Sequence, residues 1–132
     1  MSATSVTDDA TLVDFRSPTL FAWLENATAE ALDSLTFGVV AIARDGSVER
    51  YNLAESKLSG LTPSRVVGRN FFTSVAPCTN NFMVAHRFET ESEIDDVINY
   101  VFTFRIAPLK VRLRLLKRSG AECAYLIVET RD

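Results

Sequence analysis

Four side chains with chemical potential lie in one short stretch of this sequence: Tyr51, Glu55, Ser59 and Cys78. The first three are spaced four residues apart. On a helix each such step advances about 400°, so a phenol, a carboxyl and a hydroxyl would share one face and could enter one pocket. If that pocket is dry, burial favours the neutral acid and raises a carboxyl pKa by about 3–5 units. A neutral glutamic acid and a tyrosine both donate hydrogen bonds, so together they could hold a buried oxyanion. Cys78 follows Pro77 and precedes Thr79-Asn80-Asn81, residue types that open helices. Amides at a helix N-terminus lower a thiol pKa and favour its reaction.

Each group also has a plainer explanation. Asn52-x-x-Glu55 fits a capping box, with Asn52 at the N-cap and Glu55 reaching back to it; Tyr51 would then precede the helix. A lone cysteine is commonly a small buried hydrophobe, and Cys123, in a strand-like run, reads as core. His86 falls inside an expected helix upstream of Glu89, Glu91 and Glu93 and reads as a surface or boundary residue. Two cysteines and one histidine make neither a disulfide scaffold nor a recognisable zinc or haem site. An acyl-transfer enzyme built on Cys78 would lack an evident base, since nothing places His86 near it.

The elements that must position these groups can be read in order. The polar stretch 1–17 is expected to be loose, and 18–36, with Phe21, Trp23 and Leu24 and a helix-prone run from Ala27 to Leu35, to form a helical cap. Phe37 to Ala43 is an unbroken apolar run that suits a strand covered on both faces. Asp45-Gly46 is a hairpin signal, and Val48 to Tyr51 the returning strand. Gly60, Pro63 and Gly68 divide residues 52–75 into a short helix over 53–59, a turn at 63–67 and another at 70–75. A longer helix is expected from about Asn81 to Glu91 or Glu93. Tyr100, Phe102, Phe104 and Ile106 share one parity of a strand. Val111, Leu113 and Leu115 alternate with Lys110, Arg112 and Arg114 in the next, which reads as one buried face and one basic, wetted face able instead to receive the acidic cap or a partner. Cys123 to Thr130 is the fifth strand. The expected fold is α+β: a five-stranded antiparallel sheet with helices on one side and an N-terminal helical cap, the sensory body spanning 37–132.

The chain has 132 residues, 47% hydrophobic and 23% charged, with a net charge of −3, which suits one globular domain and points to neither nucleic acid nor an anionic membrane. Six of its acids and one of its bases lie in residues 1–36, so an acidic piece precedes a mildly basic body. No apolar run approaches the roughly 20 residues of a membrane helix. With no secretory pattern at the start, the expected compartment is the cytoplasm.

Tyr51-Asn52, Glu55, Gly68-x-Asn70-Phe71-Phe72 and Val75-Ala76-Pro77-Cys78-Thr79 together resemble the photoactive yellow protein family, within the PAS superfamily of sensory domains. The likeness extends to Phe37-Gly38, Tyr100-x-Phe102 and Pro108-x-Lys110-Val111, covering about residues 34–115. The resemblance implies 4-hydroxycinnamic acid (p-coumaric acid) bound as a thioester on Cys78, with Tyr51 and a protonated Glu55 donating to its phenolate and Ser59, where the family usually has threonine, supporting the tyrosine. Phe71, Pro77, Phe102 and Ile106 would line the site. It further implies a blue-light photoreceptor, not an enzyme, in which Glu55 gives up its proton and the cap loosens to signal. Output would pass to a separate signalling protein or through a homodimer, because no kinase, cyclase or DNA-binding segment is recognisable. Leu61 stands where the family's best-known members have an arginine over the chromophore, Ile106 where they have methionine, and Phe104 where they have tyrosine. The rival reading is a PAS-like module that is not photoactive and binds another small molecule or a protein.

Overall fold

The computed structural model describes residues 13–103 and 107–131. These form a five-stranded sheet in the order β2-β1-β5-β4-β3, antiparallel throughout. The strands are β1 (Gly38–Ala43), β2 (Val48–Tyr51), β3 (Ile94–Phe102), β4 (Leu109–Lys117) and β5 (Cys123–Thr130). β1 and β5 are interior strands, and the apolar run of β1 is buried on both faces, as its composition requires.

One face of the sheet carries the short helices α3 (Leu53–Ser59), α4 (Pro63–Val66) and α5 (Ala85–Thr90), with a π-helical turn at Phe71–Val75 and a 3₁₀ turn at Pro77–Thr79. Its core joins Val40, Tyr51, Phe71, Phe102, Leu113 and Leu126. The other face is covered by the N-terminal segment, α1 (Leu20–Asn26) and α2 (Ala29–Asp33), whose Leu20, Phe21, Leu24 and Leu32 pack on Val39, Ala41, Tyr125 and Ile127. Thr28 caps α2 by accepting from Ala31 N at 3.1 Å. Among the described residues no helix is long and apolar enough to cross a membrane.

The sheet grips the cap by its backbone. Arg50 Nη2 donates to Ala27 O at 2.5 Å and its Nη1 to Leu24 O at 3.4 Å. Asn52 Nδ2 donates to Leu32 O at 2.9 Å and Phe37 O at 3.1 Å. Arg114 Nη1 donates to Phe15 O at 3.0 Å and Ser17 O at 2.8 Å, while its Nε and Nη2 hold both oxygens of Asp95. Arg118 lies over the Phe21 ring at 4.5 Å, and Tyr125 OH meets Glu25 Oε2 at 2.5 Å.

Three expectations change here. β4 does not present a wholly wetted basic face, because Arg114 is only 4% exposed beneath the cap. Residues 13–17 are not loose, since Phe15 is buried and its carbonyl is held by Arg114. The remainder of the stretch expected to be loose, residues 1–12, lies outside the described residues, as do Phe104 and Ile106. β3 starts at Ile94, well before Tyr100, because Asp95, a weak strand former, is matched across the sheet by Arg114.

Replacing Arg114 by Met leaves two cap carbonyls without their donor, while Asp95, largely exposed, can return to water. Amide hydrogen exchange across residues 13–24 is expected to accelerate about tenfold or more, with protection of β1 and β5 retained, as for loss of two charge-assisted hydrogen bonds.

Candidate functional site

The site begins where β2 hands over to α3. Asn52 has extended dihedrals and accepts from Glu55 N at 3.1 Å, so it is the N-cap of α3. The box does not close, because Asn52 N donates to Val39 O and the Glu55 carboxyl turns inward. Asn52 Oδ1 also accepts from Val39 N at 2.9 Å. One buried amide thus ties α3, β1 and the end of the cap together. Sequence reading assigned Asn52 only the capping role.

Tyr51 ends β2 and is not on the helix, so the four-residue spacing is not that of one helical face for all three groups. Tyr51 OH nonetheless donates to Ser59 Oγ at 2.9 Å. Gly60, left-handed at φ 79°, ends α3 and folds the chain so that Leu61 N also donates to Ser59 Oγ, at 3.1 Å. Ser56 Oγ holds Leu61 O at 2.6 Å, and the Leu61 side chain packs on the core. An alkyl group, not a cation, therefore occupies this position.

Glu55 is 1% exposed, and its Oε1 has no hydrogen-bond partner. The carboxyl lies against Gly38 of β1, where a Cβ would stand 2.1 Å from Oε1 and 3.2 Å from Glu55 Cα. A side chain at position 38 would displace the carboxyl and press on the α3 backbone. Burial pushes the Glu55 carboxyl from an ordinary 4.5 up to about 8. Burial, with Glu55 nearby, also pushes the Tyr51 phenol upward against the lowering effect of its bond to Ser59. At neutral pH both groups are protonated donors.

Cys78 approaches the same core from the loop side and is half-buried. Asn70 starts that loop by accepting from Phe72 N and Thr73 N, and it reaches the β1–β2 turn through Nδ2 to Asp45 O. The π-helical turn after Asn70 carries Phe71 inward; such turns often mark functional sites. Phe71 and Phe102 are fully buried in the shared core, in keeping with a lining role. Pro77 is exposed and so does not line the interior; it opens the 3₁₀ turn instead. Asn81 Oδ1 accepts from Met83 N and Val84 N as a cap does, but the helix expected from Asn81 starts only at Ala85, because Val84 departs from helical dihedrals. Cys78 thus sits within a 3₁₀ turn and not at the mouth of a longer helix. His86 is exposed and stacks edge-on against Phe82. Among the described residues no group of three or more His, Cys, Asp or Glu is placed to hold a metal ion.

A photoactive yellow protein of Halochromatium salexigens is 33% identical over 121 residues, covering 89% of this chain and 97% of its own length. The chain belongs to the photoactive yellow protein family. The photoactive yellow protein of Rhodothalassium salexigens is 30% identical over 113 residues, 80% of this chain and 90% of its own. Among solved structures, the photoactive yellow protein domain of the sensor histidine kinase Ppr from Rhodospirillum centenum superposes with a TM-score of 0.77 at 35% identity, covering 83% of this chain and 98% of that one. The PAS domain of a Colwellia psychrerythraea protein shares the fold, at a TM-score of 0.59 and 14% identity over 78% of this chain and 92% of its own. No protein-family model matches the chain. As a photoactive yellow protein homologue it is a PAS sensory domain, and the α+β fold with its five-stranded sheet agrees with that assignment.

The buried acid carries a pH dependence. Because the folded-state value lies above the unfolded one, the unfolded chain releases the proton first, and stability falls as pH rises from about 4.5 towards about 8. For the chromophore-free protein the loss over that window is roughly 5 kcal/mol, at about 1.4 kcal/mol per unit. Urea midpoints of Glu55→Gln at pH 5 and pH 8 are expected to lie much closer together than those of the wild type.

Proposed function

We propose that this chain is a blue-light photoreceptor carrying 4-hydroxycinnamic acid as a thioester on Cys78. The observation that carries the reading is the buried Glu55 carboxyl, whose Oε1 has no partner, close to the Tyr51 phenol. A buried polar atom without a partner is costly, and an anionic oxygen between these two donors would satisfy it. In this reading Cys78 Sγ provides the attachment, Tyr51 OH and the protonated Glu55 donate to the phenolate oxygen, and the Tyr51–Ser59 bond reverses, with Ser59 Oγ–H donating to the phenol oxygen and so orienting Tyr51. Phe71 and Phe102 exclude water. When bound, the group supplies visible absorption and a double bond that isomerises in light.

After isomerisation Glu55 would give its carboxyl proton to the phenolate oxygen it faces and be left as a buried carboxylate. An uncompensated buried charge is strongly destabilising. Glu55 N is held by Asn52, whose other end holds Leu32 O and Phe37 O, so the strain falls on the junction with the cap. Release of the cap would bare the apolar outer face of β1 and β5 to a separate signalling protein or a second copy.

The test is loading of chromophore-free protein with activated 4-hydroxycinnamic acid, followed by mass and absorbance. A single adduct on Cys78, with a visible band that bleaches reversibly in blue light, is expected, and Glu55→Gln should shift that band to the red. No adduct, or one that forms equally on Cys78→Ser, would contradict the proposal.

One observation favours a second reading, that of a small-molecule-binding PAS module. A cavity of about 630 Å³ opens between the turns at Arg44–Gly46 and Arg118–Ala121, with Ile42, Phe72, Phe88 and Ala124 inside it, and Tyr51, Glu55 and Cys78 do not line it. Its sign would be a small molecule that co-purifies with the protein and is retained by Cys78→Ser.

A further inference from the structure

The main chain of the 3₁₀ turn satisfies its carbonyls unevenly. Ala76 O accepts from Thr79 N at 2.9 Å and Thr79 Oγ1 at 2.7 Å, Pro77 O from Asn80 N at 3.0 Å, and Thr79 O from Asn81 N at 3.0 Å. Cys78 O is served by side chains instead. Tyr100 OH donates to it at 2.5 Å and Asn81 Nδ2 at 3.2 Å. Asn81 Nδ2 also donates to Tyr100 OH at 2.6 Å, closing a triangle of phenol, amide and carbonyl.

Each corner is fixed from behind. Asn81 Oδ1 accepts from Met83 N and Val84 N, which settles which end of the amide faces Cys78. Tyr100 is 8% exposed in β3, opposite Val111, with its ring edge-on to Phe102 at 6.1 Å. Its carbonyl receives Arg131 Nη2 at 3.3 Å. Burial holds the phenol above its ordinary range, so it remains a neutral donor at physiological pH.

We infer that Tyr100 and Asn81 are positioning residues for Cys78, clamping its carbonyl so that the thiol has a set direction and restricted access. The inference builds on the reading of Cys78 as the attachment point, but the clamp acts on the free thiol and can be tested without chromophore. The sheet, through β3, thereby holds the residue that the helical layer merely carries. Without the phenol, the carbonyl of a half-buried residue loses its short hydrogen bond and the turn opens locally.

The experiment uses chromophore-free protein in a Cys123→Ser background and follows Cys78 with a neutral aromatic disulfide. Tyr100→Phe is expected to raise the reaction rate about five- to tenfold, the size of one lost hydrogen bond, and Asn81→Ala about two- to threefold. The double variant should fall short of the product of the two, because both act on one carbonyl. Leu116→Ala, a cavity beneath the cap and remote from the clamp, should leave the rate at the background level, which separates positioning from general loss of stability.

If Tyr100→Phe does not fold, Asn81→Ala on the exposed loop carries the test alone. Rates within the background for a folded Tyr100→Phe, or for Asn81→Ala, overturn the clamp whether or not chromophore binds. A wild type that never loads overturns the photoreceptor reading and leaves the thiol result to decide the clamp.

Discussion

Much of this molecule is arranged around one carboxyl that water cannot reach. Glu55 is placed inside by the N-cap at Asn52 and by the absence of a side chain at Gly38, which lets α3 settle against β1. Charged, it would cost several kcal/mol in such surroundings, so at neutral pH it stays protonated. That state is useful only beside a group needing a donor, and Tyr51, steadied by Ser59, is the second donor nearby. In the proposed photoreceptor this stored proton is the one whose release would have structural consequences.

Those consequences have a route. Asn52 bonds to Glu55 N and Val39 N through its oxygen and to Leu32 O and Phe37 O through its nitrogen. The acid and the root of the cap thus share one residue. Arg50 and Arg114 fasten the cap elsewhere, again through backbone carbonyls, with Asp95 set against Arg114. Fastening by carbonyls tolerates side-chain variation in the cap and makes its hold depend on a few donors from the sheet.

The strands, the hairpin at Asp45-Gly46 and the short elements after Gly60 were legible because each rests on local signals, β-branched runs and turn residues; the inward Glu55 was not, since its local signal was a capping box and only the family resemblance pointed it into the interior. Long-range pairings were not. Arg114 reads as one of three alternating basic residues, and only the overlying cap makes it a buried clasp. Asp95 and Asp96 obscured the start of β3, because their partners, Arg114 on β4 and Arg87 on α5, belong to other elements and meet them only in the folded sheet. Asn81 looked like a helix opener, yet Val84 and the bonds to Tyr100 and Cys78 give it different work. Pro77, a lining residue by the family resemblance, is exposed, since the 3₁₀ turn that it opens faces it outward.

The claim on which the account rests is that Glu55 is a neutral acid at physiological pH. Carbon-13 NMR titration of the Glu55 side-chain carboxyl in the chromophore-free protein, assigned by its loss in Glu55→Gln, measures this directly. A midpoint above neutrality, towards about 8 and far above that of an exposed glutamate, is expected. A midpoint near 4.5 would contradict it, because Glu55 would then be an ionised carboxylate with no proton to hold or release.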